Sequence, residues 1–223
     1  MKPPHVMSVN LGKGVPRPYA SGPTTAIDKG PVPEGTLVEI RDPGPKRDGL
    51  GSGLVGDDIG DRRHHGGAQQ AVYAYAREDQ QWWEEQLGRA LPPGSFGENL
   101  TTLGVDTTHA LIGEVWRLGE VVLRVEVPRI PCATFAGHLG VRGWVRRFGD
   151  AGRTGAYLSV VTPGVIEPGV TVEVERPDHD IDLLLSFRAA LGDLEAATRV
   201  LEARVLHPDE QVWLADKVAR RRR

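Results

Sequence analysis

Glycine and proline break regular structure more strongly than any other residues, and their placement divides this chain of 223 residues in two. The 28 glycines and 17 prolines crowd into the first three-quarters, where they cut the chain into short runs rich in β-branched residues. That pattern predicts a barrel or sandwich with many turns. Strands are expected at Val6–Leu11, Thr36–Arg41, Ala71–Tyr75, Leu111–Leu118, Val121–Val127, Ala156–Thr162 and Thr171–Glu175. Trp116–Leu123 reads as a hairpin, because Gly119 can supply the positive φ of a tight turn. Arg77–Leu91 reads as a helix, with Trp83, Leu87 and Leu91 on one face, and Val141–Phe148 as a second. After Pro177 the apolar spacing turns helical to the end. Asp180 or Asp182 suits the cap of a helix carrying Leu183, Leu184, Phe187 and Leu191, and Gly192 ends it. A second helix starts near Asp193 with Leu194, Ala197, Leu201 and Val205 inward, and a third at Pro208. The expected organisation is a β-rich domain over 1–177 and a three-helix domain over 178–223, the latter too small to be very stable alone.

Hydrophobic residues form 39% of the chain and charged residues 26%, near the globular average, so disorder is not expected. No run approaches the ~20 apolar residues that span a bilayer. Met1–Asn10 carries two prolines and a histidine and lacks the apolar core of a signal peptide, so the expected location is the cytoplasm. With 27 basic against 30 acidic residues there is no global field for nucleic acid, and no specific nucleic-acid partner is expected. The basic cluster Arg220–Arg223 reads as a solvated tail, with a phosphate-contacting arm as the alternative. One cysteine, Cys132, excludes an intrachain disulfide and a self-contained cysteine-ligated iron–sulfur cluster.

Three segments carry residues suited to chemistry. Val127-Pro128-Arg129-Ile130-Pro131-Cys132 leaves a strand through two prolines, which remove backbone donors and fix φ, so it is expected to form a stiff rim rather than a central strand. Arg129 stands close enough to favour a thiolate at Cys132 or to bind an anion, and a buried structural cysteine is the alternative. Gly53–Tyr75 holds Asp57, Asp61 and His64-His65-Gly66-Gly67, whose paired glycines could expose backbone N–H groups to an anion or simply turn the chain. No third ligand accompanies the two histidines at a recognisable zinc spacing. Gly97-Glu98-Asn99-Leu100 carries an asparagine that both donates and accepts, just before a strand, with a capped turn as the alternative.

Taken together, His65-Gly66-Gly67, Gly97-Glu98-Asn99-Leu100 and Pro128-Arg129-Ile130-Pro131-Cys132 resemble the MOSC family in order and spacing, from the Lys29 region through Thr162. The family takes its name from the C-terminal domain of molybdenum cofactor sulfurase. The helices after Pro177 make the chain similar to its YiiM-like group of hydroxylaminopurine reductases, which carry a three-helix domain. The resemblance implies a mostly antiparallel β-barrel holding the molybdopterin form of the molybdenum cofactor, with no role for pyridoxal phosphate. It implies Cys132 as ligand to molybdenum, a soft thiolate for such a centre. It places His65, Gly66, Gly67, Asn99 and Arg129 in the cofactor pocket, with Arg129 and Lys29 at the terminal phosphate.

The function this implies is reduction of N-hydroxylated compounds, such as hydroxylaminopurines and amidoximes, with detoxification of damaged bases as its use. Asp57, Asp61 and His65 are candidate proton relays by titratable type and nearness to the motif. Electrons would have to come from an external flavin or iron–sulfur donor. Two other classes remain open: a sulfur carrier or transferase bearing a persulfide on Cys132, and a non-catalytic cofactor-binding module. Stoichiometric molybdenum distinguishes the reductase, and cyanide-labile sulfur the carrier.

Overall fold

The computed structural model describes residues 2–221, so Met1, Arg222 and Arg223 of the motifs above lie outside the described residues. The architecture is mixed α/β, with one large sheet and six α-helices among the described residues. The sheet has eight strands: β1 (His5–Leu11), β2 (Gly30–Pro31), β4 (Val72–Ala76), β5 (Leu100–Leu103), β6 (Val115–Leu118), β7 (Val121–Pro128), β8 (Ala156–Thr162) and β10 (Glu173–Glu175). Their order is β10-β6-β7-β8-β4-β5-β1-β2, while β3 (Val38–Ile40) pairs with β9 (Gly164–Ile166) apart from it.

This corrects the expected antiparallel barrel in two respects. β4 and β5 run parallel, because α1 (Arg77–Leu87) crosses over between them. The sheet also stays open. Its first strand meets the segment leading into β10 through a bridge at His5 and Thr171 and bonds such as Val6 N to Val170 O at 2.9 Å, but no continuous ladder closes the ring.

The strands expected at Val6–Leu11, Ala71–Tyr75, Val121–Val127 and Ala156–Thr162 form with shifts of at most a residue or two. Gly119, at φ 62, makes the hairpin turn between β6 and β7. α1 stops at Leu87 rather than Leu91, since Gly88 takes the left-handed conformation and its N–H caps Glu84 O. The rim expectation needs correction too: Pro128 is the last residue of β7, a central strand. It is tolerated because the antiparallel partner β6 reaches only to Arg124 on that side. β5 forms directly after Asn99, where a strand is expected, although it buries both Thr101 and Thr102 and so shows no polar–apolar alternation. One further element had no sequence signal: α2 (Ala133–Leu139) begins directly after Cys132.

β4 divides the interior, because successive side chains of a strand point to opposite faces. Val72 and Ala74 join an aliphatic core with Val9, Leu123 and Leu158. Tyr73 and Tyr75 face an aromatic core built with Trp83, Phe96, Phe135, Trp144 and Phe148 from α1, α2, α3 (Trp144–Ala151) and the loop before β5. The Tyr75 and Phe96 rings stack at 4.4 Å. Both cores receive the C-terminal helices: Leu183 and Ala189 of α4 (Leu183–Leu191), Ala197 of α5 (Leu194–Ala203) and Leu214 of α6 (Pro208–Arg221) enter the aliphatic cluster, and Phe187 the aromatic one. Asp182 caps α4 through Leu185 N at 2.7 Å, and Asp193 caps α5. Arg221 is not a free arm, since it donates to the carbonyl of Gly192 where α4 ends.

Gly137 of α2 shows how tightly the Gly/Pro-rich loop 12–28 is held. A Cβ built there would overlap the Tyr19 side chain. In an exposed helix Gly→Ala stabilises by ~1 kcal/mol. Here the sign should reverse: Gly137→Ala is expected to cost about 1–3 kcal/mol by overpacking, read as a lower denaturation midpoint.

Candidate functional site

The ladder of β7 and β8 ends at Pro128 opposite Ala156, and the next residue, Arg129, turns inward while Ile130 faces solvent. Arg129 is 6% exposed. Its guanidinium lies 4.2 Å from the Phe135 ring centroid and 4.9 Å from that of Tyr73, and Nη1 donates to Phe96 O at 2.6 Å. Among the described residues no carboxylate pairs with it within 4.0 Å. Burial opposes its charge, but Tyr157, Tyr73 and Cys132 together hold it more firmly protonated than an ordinary arginine. Gly97, at φ 71, packs closely on Ile27, which a Cβ would crowd at 2.9 Å, whereas Arg129 Nη1 at 3.5 Å would be in ordinary contact.

The loop that supplies the Phe96 carbonyl is fixed by Glu98. This fully buried carboxyl accepts from Gly94 N at 2.6 Å, Phe96 N at 2.9 Å, Gln80 Nε2 at 2.5 Å and Thr101 Oγ1 at 2.8 Å. Burial nonetheless pushes its pKa up.

Two chambers with shared walls lie here, and Arg129 borders the inner one. The inner one, about 80 Å³, is bordered by Lys29, Asp61, His65, Arg129, Cys132 and Tyr157. The outer one, about 720 Å³, shares Asp61, His65, Cys132 and Tyr157 and extends to α4 and α6. Cys132 is half-buried at the junction, the residue preceding α2, with its carbonyl accepting from Ala136 N at 3.0 Å.

Five of the expected site residues therefore meet in one cavity: Lys29, Asp61, His65, Arg129 and Cys132. The others stand behind it. Asp57 is saturated by four donors, Gly12 N at 2.8 Å, Ser52 Oγ at 2.8 Å, Asn99 Nδ2 at 2.9 Å and the Lys29 ammonium. A carboxylate with every acceptor site engaged is a structural hub, not a proton relay. The same pair ties down Lys29. Burial lowers its pKa most and Asp57 counters, so its charge is already spent inside the protein.

Asn99 is equally committed. Its Oδ1 accepts from Tyr73 N at 3.1 Å while Nδ2 serves Asp57, which holds β4, β5 and the Asp57 loop together without lining the cavity. Gly66 and Gly67, at φ 81 and 83, are turn residues; a Cβ would strike Gly51 O at 2.8 Å or the Lys46 backbone at 2.9 Å. The N–H of Gly67 is directed to Gly51 O at 3.2 Å, away from any anion.

Asp61 borders the cavity but fits a relay poorly. The hydrogen bond from His64 Nδ1 at 2.9 Å, helped by Ser21 Oγ at 3.1 Å and Arg63 N at 3.1 Å, holds its pKa at about 2. A group that acid lies far from the operating range of a general base. His64 spends its ring nitrogen on that bond, and among the described residues no cluster of three His, Cys, Asp or Glu could hold a metal. His65 is different: burial first, then Arg129, lowers its pKa from 6.5 to about 4, with Asp61 opposing and Lys46 and His64 reinforcing the fall. It is a neutral imidazole at the cavity.

Several cavity residues had not been singled out. Tyr157 stands opposite Val127 in the β7–β8 ladder, so strand pairing would have found it. Thr134 Oγ1, accepting from Ser21 N at 3.1 Å, follows Cys132 by two residues. Lys46, Gln70, Glu210 and Trp213 reach the outer chamber through tertiary structure alone.

Residues 61–173 match the MOSC domain, and that span contains His65, Asn99, Arg129 and Cys132. The chain belongs to the MOSC family. YflK of Bacillus subtilis is 32% identical over 197 residues, covering 87% of this chain and 84% of that protein. The protein YiiM of Escherichia coli is 31% identical over 133 residues, 58% of this chain and 59% of its own length. A protein named reductase from Gibberella moniliformis is 28% identical over 181 residues, which cover 68% of this chain but 31% of the fungal protein. The crystal structure of YiiM from Geobacillus stearothermophilus superposes with a TM-score of 0.74 at 24% identity, over 97% of this chain and 100% of the other. No described helix of this MOSC protein is long and apolar enough to cross a membrane.

His65 of this MOSC protein gives a pH signature. Its folded pKa lies below its unfolded one, so the unfolded chain binds the extra proton first. The contribution is complete above about pH 6.5 and is lost as pH falls toward 4. The His65 ring is expected to titrate near 4 by NMR. Replacement by Gln should flatten the acid-side fall in stability, whose slope for one such group is at most ~1.4 kcal/mol per pH unit. A midpoint at the usual value of 6.5 would contradict the buried, neutral assignment.

Proposed function

We propose that this MOSC protein binds the molybdenum cofactor and reduces N-hydroxylated compounds, including hydroxylaminopurines and amidoximes. One observation carries the reading: Arg129, a buried guanidinium with no carboxylate partner among the described residues, faces the same cavity as the half-buried Cys132 thiol. A buried cation lacking a protein counter-ion fits a bound anion, and the cofactor's terminal phosphate is such a group. Cys132 offers the soft sulfur donor that suits molybdenum. Lys29 adds little at the phosphate, since Asp57 already neutralises it. One relative bears the name reductase, which favours redox chemistry over sulfur carriage.

When bound, the cofactor would supply two-electron oxygen-atom chemistry, with overall balance R–NHOH + 2 e⁻ + 2 H⁺ → R–NH₂ + H₂O. The chain's own residues set the conditions. Arg129 would anchor the anionic end, with Phe96 O and two aromatic faces fixing the guanidinium in advance. Cys132 would hold the metal at the junction of the chambers, so that substrate approaches from the outer one. His65 stands as a neutral imidazole at the cavity, whereas Asp57 and Asp61 are held in place by hydrogen bonds. Helices α4 and α6 line the outer chamber, and we treat 178–223 as a unit added to a cofactor domain over 1–177. Electrons would come from an external flavin or iron–sulfur protein in the cytoplasm, with neither membrane nor nucleic acid involved.

Molybdenum content and turnover of Cys132→Ser and Arg129→Ala test this. Cys132→Ser should retain the fold and lose reduction of an N-hydroxylated base by orders of magnitude. Arg129→Ala removes a charge-assisted contact of about 1.5–3 kcal/mol, so cofactor retention should weaken roughly ten- to more than a hundredfold. Excess cofactor should rescue Arg129→Ala and not Cys132→Ser. Cyanide-labile sulfur in a metal-free wild-type protein would instead identify a sulfur carrier, and stoichiometric metal without turnover a binding module.

A further inference from the structure

α6 walls the outer chamber, yet little holds it to the rest of the protein. Leu206 just before it, and Asp209, Glu210, Trp213 and Leu214 along it, line that chamber together with Ile130, Pro131 and Cys132. A helix docked for good buries an apolar stripe about a third of the way round its axis. Of the 14 residues of α6 only Leu214 is buried, while Val212 and Trp213 are exposed. Its other attachments are polar and lie at its edges. Lys217 Nζ donates to Ala190 O and the Arg221 guanidinium to Gly192 O, both where α4 ends. Gln211 Nε2 donates to Leu201 O at 2.8 Å, and just before the helix His207 Nδ1 lies 2.5 Å from Gln69 Nε2. Lys217 Nζ also sits 4.9 Å from the Trp213 ring centroid, so one ammonium steadies both the helix and the exposed indole. The connection from α5 begins at Arg204, at φ 54 the one non-glycine residue with positive φ among the described residues. Side-chain-bearing residues are uncommon in that region and collect where a chain turns sharply or switches.

We propose that α6 is a lid on the outer chamber, that it turns about the 204–207 connection, and that its release from the end of α4 admits bulky molecules to Cys132. Segments with few buried apolar contacts open at lower free energy than the core. Opening α6 separates one buried leucine and a set of peripheral hydrogen bonds from their partners, whereas Val127 and Tyr157, which line the same chamber, belong to the central β7–β8 ladder. Calling the lid a substrate gate rests on the function proposed above; the motion itself does not.

Cys132 is the one thiol of the chain, so its alkylation reports on access to the chamber without any metal. The full chain is made in cells that synthesise no molybdenum cofactor, and its labelling by iodoacetamide, a small reagent, is compared with labelling by fluorescein maleimide, a bulky one. Each rate is taken relative to that of free N-acetylcysteine, and amide hydrogen exchange is followed on α6 and β7. In the wild type the maleimide should be retarded far more than iodoacetamide, and α6 amides should exchange well ahead of those of β7. Replacing Lys217 and Arg221 together by Ala should speed maleimide labelling and α6 exchange at least roughly tenfold, equivalent to about 1.4 kcal/mol, and leave β7 exchange unchanged. Lys217→Arg, which keeps a donor for Ala190 O, should label as the wild type does. Equal relative rates for the two reagents in the wild type, α6 amides that exchange only together with β7, or a maleimide rate unmoved by the double substitution would each overturn the lid. Molybdenum content in cofactor-competent cells judges the reductase separately. A lid that opens on a protein lacking metal would leave this inference and sink that reading, whereas metal held beside a helix that never opens would do the reverse.

Discussion

A guanidinium taken out of water must be repaid by what surrounds it, and Arg129 is repaid by one carbonyl and two aromatic faces rather than by a carboxylate. Those partners come from the loop before β5, from β4 and from α2, so the elements that enclose the cavity converge on one side chain. The aromatic core serves this contact. Tyr73 reaches Arg129 because β4 turns its odd-numbered residues that way, and Phe135 because α2 starts immediately after Cys132.

The buried carboxylates nearby obey the opposite rule. Asp57 and Glu98 each collect four donors and have nothing left to offer a ligand. They hold the Gly/Pro-rich loops in place, which isolated turn residues would not do. The contrast between saturated anions and an under-partnered cation gives the cavity its polarity and argues for an anionic guest.

Much of this was legible in the chain. Arg129 and Cys132 sit three residues apart behind prolines, and local stiffness shows in sequence; the capped helices after Pro177 were equally plain from Asp182, Asp193, Gly192 and Pro208. Asp57 suits a relay by residue type and Asn99 enters the pocket through the family resemblance, but hydrogen-bond saturation depends on partners such as Gly12 and Tyr73, far away in sequence. Sheet closure failed for a similar reason, since neither the parallel β4–β5 pair nor the open edges leave a mark on alternation. The outer chamber was invisible because it forms only where α6 faces the Cys132 turn.

The central claim is that Arg129 is kept for a ligand and not for the fold. Denaturant unfolding of the cofactor-free protein with Arg129 replaced by Met, a flexible apolar side chain that can occupy the same aromatic slot, tests it most directly. The account predicts a midpoint equal to or above that of the wild type, since replacing an under-compensated buried charge with an apolar group is commonly neutral or stabilising by ~1–4 kcal/mol. A loss of about 3 kcal/mol or more, the range for breaking a true buried pair, would show that Arg129 is structural and contradict the account.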